Sequence, residues 1–71
     1  MVNIGNADRV ALMQRLVALQ VEHRDLDAVI QQLVLDPKRD DLQVTRLKRR
    51  KLLLKDQIAR LRTRLIPDII A

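Results

Sequence analysis

The five residues Asp36-Pro37-Lys38-Arg39-Asp40 interrupt a chain that is patterned for helix on both sides. Proline has no amide hydrogen to donate, clashes with the turn before it and pushes the preceding residue out of helical geometry. A helix arriving from the N-terminal side must therefore stop near Leu35. Asp40, followed three residues later by Gln43, reads as the N-cap and capping box of a second helix. The segment is thus a turn between two helices.

Outward from the turn, both flanks carry heptads. Before it, Leu12, Leu16, Leu19, His23, Leu26, Ile30 and Leu33 recur in alternating steps of four and three. In heptad letters, Leu16, His23 and Ile30 are a, and Leu12, Leu19, Leu26 and Leu33 are d. After it, Val44, Lys51, Ile58 and Leu65 are a, and Leu47, Leu54 and Leu61 are d. In an antiparallel pair, a faces d and the numbers of facing residues share one total. Leu12 with Leu65, Leu16 with Leu61, Leu19 with Ile58, His23 with Leu54, Leu26 with Lys51, Ile30 with Leu47 and Leu33 with Val44 all total 77. That total centres the pairing between Lys38 and Arg39, inside the turn. Two independent signals agree on an all-α, two-helix antiparallel coiled-coil hairpin.

The expected organisation is one domain over residues 1–71. Helix 1 covers about 7–35 with Asn6 as its N-cap, the turn 36–40, and helix 2 about 41–66, ended by Pro67. A short tail, 67–71, follows.

Composition agrees and narrows the chemistry. Of 71 residues, 48% are hydrophobic and none is aromatic, so the core is Leu, Val, Ile, Ala and Met, suited to helix seams. There is no Cys, which removes disulfides and thiolate metal sites, and a single His makes no multi-histidine site. No cofactor is expected. Ser, Cys and Tyr are all absent, the usual nucleophiles are therefore missing, and a two-helix hairpin has no concavity to enclose a substrate. A non-enzymatic protein is expected. No apolar run approaches the roughly 18 residues of a membrane span, and the first residues lack a signal-peptide pattern, so a cytoplasmic location is the expectation.

Two seam positions are polar. His23 and Lys51 occupy adjacent layers. They can specify register, Lys51 laying its methylenes along the seam and its ammonium in water. Alternatively, they bind an anion or a partner's carboxylate together, with a proton-sensing role for His23 conceivable. At the flanks, e-position Asp27 is expected opposite Lys48, whereas Arg15 should face Arg64.

Charge is segregated by helix. Residues 41–66 carry nine Lys and Arg against Asp41 and Asp56, net +7, whereas residues 7–35 carry three Arg against four carboxylates, net −1. Arg46, Arg50, Arg60 and Arg64 line one flank of helix 2, with Arg49 beside them, and Lys48, Lys55 and Arg62 line the other. Such a ridge could track a phosphate backbone with steep salt dependence, or simply keep a small protein solvated. RNA or DNA binding is one functional reading, although nothing aromatic is present to stack a base.

A second apolar surface lies off the seam. Val10, Met13 and Val17 on helix 1 and Leu52, Ala59 and Ile66 on helix 2 share the b/e side, and Val21 and Ala28 extend the strip. Left wet, it is a surface that small proteins avoid, so self-association is expected, most simply a dimer packing as a four-helix bundle. A fold-back of Ile69-Ile70 is the alternative cover.

Two blocks carry a family resemblance. His23-Arg24-Asp25-Leu26-Asp27-Ala28-Val29-Ile30 and Leu47-Lys48-Arg49-Arg50-Lys51-Leu52-Leu53-Leu54-Lys55-Asp56-Gln57-Ile58 resemble the YdcH-like family of short bacterial proteins, a domain-of-unknown-function family. The resemblance spans about residues 12–62 and implies a helical hairpin without an established activity. It places His23, Lys48, Lys51, Lys55 and Asp56 within the family's pattern, while Arg49, Arg50 and Ile69-Ile70 fall outside it. Together, these signals point to a small coiled-coil adaptor or regulator, with a nucleic-acid-binding regulator as the competing reading and the protein partner unspecified.

Overall fold

A computed structural model describes residues 5–65. It contains two helices and, among the described residues, no strand: α1 is Asn6–Val34 and α2 is Asp41–Leu65. They pack antiparallel as the expected hairpin. Ile66 and the 67–71 tail, including Ile69-Ile70, lie outside the described residues.

Burial follows the heptads residue by residue. All fourteen seam positions are buried or half-buried, and outside the seam only Asp27 among the described residues is not exposed. The centre is Leu19, Leu54 and Leu61, with Leu12, Leu16, Leu26 and Ile58 packed against it. Leu54, 0% exposed, sits opposite His23 in the layer arithmetic. Ile30 and Val44 bury the turn end and Leu65 the open end.

The turn is built by its two aspartates. Where α1 ends, Leu35 N–H bonds Gln32 O at 3.2 Å and Asp36 N–H bonds Leu33 O at 3.1 Å, the tighter spacing of a final turn. Asp36 Oδ1 then accepts Lys38 N–H at 2.9 Å and its carbonyl accepts Arg39 N–H at 3.1 Å, so one residue closes the loop twice. Asp40 Oδ1 accepts the N–H groups of Leu42 (2.9 Å) and Gln43 (3.3 Å), satisfying two of the donors that open α2. Of the expected capping box, this aspartate half is what forms.

The first helix begins one residue earlier than expected. Gly5, extended at φ −67° and ψ 164°, is its N-cap in place of Asn6, and Arg9 N–H bonds Gly5 O at 2.9 Å. Among the described residues no side chain caps this end. Asn6 lies in the first turn of α1, and any residue can adopt the extended cap conformation of Gly5. α1 ends at Val34, with Leu35 as its C-cap.

Candidate functional site

The hairpin presents two flanks, one lined by e and b positions of both helices and the other by g and c positions. A cross-helix ion pair marks each.

On the e/b flank, Lys51 Nζ donates to Asp27 Oδ1 at 2.8 Å. This corrects two expectations, the Asp27–Lys48 pair and the Lys51 ammonium standing free in water. The reason is packing. Lys51, an a residue, pairs with Leu26 by register, and the next residue on α1 is Asp27, so the ammonium leaves the seam beside that carboxylate. With the two side chains 31% and 37% exposed, the charges are partly desolvated and gain from meeting, whereas exposed Lys48 keeps its hydration. Gln31 Nε2 donates to the other oxygen, Asp27 Oδ2, at 3.0 Å. The hydrogen bond from Lys51 is the main cause that holds the Asp27 carboxyl below its ordinary 3.8; partial burial opposes it, and the Lys51 charge and the Gln31 hydrogen bond add to the lowering. This also explains why Asp27 is, among the described residues, the one off the seam that is not exposed.

His23 is half-buried, and no buried side-chain nitrogen or oxygen among the described residues lacks a partner. His23 and Lys51 therefore sit as adjacent polar layers, with the lysine satisfied by Asp27.

On the g/c flank, Arg50 Nη2 donates to Glu22 Oε1 at 2.8 Å. Register arithmetic could not find this pair, because the g residue facing Arg50 is Val29, and Glu22 lies one heptad further along α1. The guanidinium crosses a shallow groove lined by Ala18, Val21, Leu26 and Val29, with Asp25 at its edge. Arg60 Nε meets Asp56 Oδ2 one turn back at 3.1 Å. Two of the four ridge arginines are thus engaged with carboxylates. Arg46 and Arg64, and likewise Lys48, Arg49, Lys55 and Arg62, take part in no ion pair among the described residues.

The second apolar surface is present and exposed. Val10, Met13 and Val17 are 53%, 50% and 58% exposed and line a shallow apolar depression with Gln14. Leu52 is 64% exposed, and Ala59 is exposed too. By register Val17 lies level with Ala59, on the same side of the hairpin. Ile66, the sixth residue expected there, lies outside the described residues. Composition reading missed Leu53 and Val29, 53% and 47% exposed, on the opposite flank. Their c and g letters carried the signal. Among the described residues there is no group of three or more His, Cys, Asp or Glu able to hold a metal ion, and no helix is long and apolar enough to cross a membrane.

A filled apolar seam, a doubly bonded turn and one cross-helix ion pair on each flank define a two-helix antiparallel hairpin. The chain belongs to the family described as "Protein of unknown function (DUF465)", whose model matches residues 16–62, the family in which YdcH-like proteins are placed. No curated protein and no solved structure matches the chain.

Proposed function

We propose that this protein is a non-enzymatic helical interaction module, a small coiled-coil adaptor or regulator that works in the cytoplasm by accepting a further helix on its outer face. The observation that carries this reading is the division of its apolar residues. The seam is complete in every layer, yet Val10, Met13, Val17 and Leu52 remain at least half exposed on one flank. A surface of that kind marks a contact. The absence of Ser, Cys and Tyr and the open form of both surface grooves support a role in binding over one in catalysis.

Replacing Val17 with a photo-crosslinking amino acid and irradiating native cells tests it. Covalent protein adducts are expected from Val17, and their absence counts against the module.

The second reading is an RNA- or DNA-binding regulator using the α2 ridge. It is favoured by the net charge of that helix and by Arg46, Arg49 and Arg64 being without ion pairs among the described residues. The same crosslinker at Arg46 should then capture nucleic acid, with affinity falling steeply as salt rises.

A further inference from the structure

We infer that the occupant of the e/b flank is an acidic amphipathic helix of another protein rather than a second copy of this chain. The inference rests on the interaction-module reading and specifies the partner's chemistry.

Three observations converge on it. First, apolar residues and cations interleave on this flank. Val10, Met13 and Val17 of α1 and Ala59 and Leu52 of α2 are all exposed and share the b/e side by their heptad letters, and Lys48, Lys55 and Arg62 alternate with the latter two along α2. Second, those three cations are exposed and take part in no ion pair among the described residues. They recur every seven residues, a spacing of about 10.5 Å along a helix. Third, among the described residues both carboxylates of this flank already have partners within the chain. These are Asp27, held by Lys51 and Gln31, and Asp41, held by Arg39 at 3.1 Å.

The third observation decides between occupants. A two-fold interface sets one patch against itself. Two copies of this flank would bring Lys48, Lys55 and Arg62 towards cations, with both described carboxylates of the flank paired within their own chain, and like charges across an interface oppose association. The complementary surface is a helix with an apolar stripe, flanked by Glu or Asp once per heptad so that each cation meets a carboxylate. From the level of Val10 to that of Lys48 the patch spans about 26 Å, or roughly five helical turns. A phosphate backbone would match the cations but leave Val10, Met13, Val17 and Leu52 wet. An anionic bilayer would be met without the aromatic residues that anchor interfacial helices.

The test uses the full chain and two synthetic three-heptad peptides, both with Leu at a and d, one with Glu and the other with Lys at e and g. The acidic peptide is expected to bind as a one-to-one complex and the basic peptide not to bind. Lys48→Glu with Lys55→Glu and Arg62→Glu should weaken the acidic peptide at least about tenfold and admit the basic one. That gain also shows the variant to be folded. Met13→Glu with Val17→Glu should weaken the acidic peptide, whereas Arg46→Gln with Arg64→Gln, on the other flank, should leave it unchanged.

Failure of the acidic peptide to bind overturns the inference, as does equal binding of both peptides or indifference to the charge reversal. A homodimer that dissociates on Val17→Glu overturns it in favour of a second copy. RNA or phosphatidylserine vesicles that displace the acidic peptide from the three cations overturn it in favour of a polyanion. If the acidic peptide fails while the Val17 crosslinker still captures protein, only the partner's chemistry is wrong. If both fail, the module reading falls with it.

Discussion

Asp27 shows how one residue is decided by its neighbours in space. Its letter, e, predicts an exposed flank residue, yet it is drawn in by a lysine that leaves the seam beside it. Because its carboxyl is held below 3.8 in the folded chain, the unfolded state binds the proton more readily. Its contribution is therefore complete above its ordinary value and is lost as pH falls through the depressed one. Acid titration of the denaturant midpoint should show a steeper loss for the native chain than for Asp27→Asn in that window. If the two curves run parallel, the bridge contributes nothing to folding. His23 makes a second prediction at this scale. A half-buried polar residue opposite fully buried Leu54 costs packing, so His23→Leu should raise stability by about 1 kcal/mol, read as a higher midpoint in urea. Should stability rise while capture of a partner disappears, His23 has a role in binding as well as in register.

At the scale of the element, the two helices are started differently. Asp40 satisfies two amide donors of α2 with one oxygen, whereas α1 begins at Gly5 without a side-chain cap. Asp40→Ala should cost about 0.5–2 kcal/mol, with amide exchange accelerating first at Leu42 and Gln43. Equal exchange in the variant would show that Asp36 alone sustains the turn. Both helix positions were legible, since a proline at 37 and an aspartate at 40 act through the backbone within a few residues. The one-residue shift at α1 was not, because Gly5 and Asn6 compete as caps on small conformational differences.

The described residues form a single seam between two helices, with no third layer among them. A core of this size supplies only about 3–5 kcal/mol, and truncating a fully buried leucine costs about 2–5 kcal/mol. Leu54→Ala should therefore leave the isolated chain largely unfolded, seen as loss of far-UV helicity at room temperature. Retained helicity would mean that additional burial supports the hairpin, and sedimentation would then show whether a second copy supplies it.

All seven seam layers and the turn could be read from residue numbers alone. The reason is that a helix repeats its geometry every turn, so spacing along the chain becomes position on a face. The ion pairs could not be read so. Lys51 reaches Asp27 instead of standing in water, and Arg50 crosses a heptad to Glu22, because long flexible side chains settle where desolvation and charge are balanced in three dimensions. The sequence by itself therefore determined the hairpin, its register and the segregation of charge onto α2. Which of those charges meet a counter-charge among the described residues is settled by packing in three dimensions, where side-chain reach and desolvation outweigh spacing along the chain.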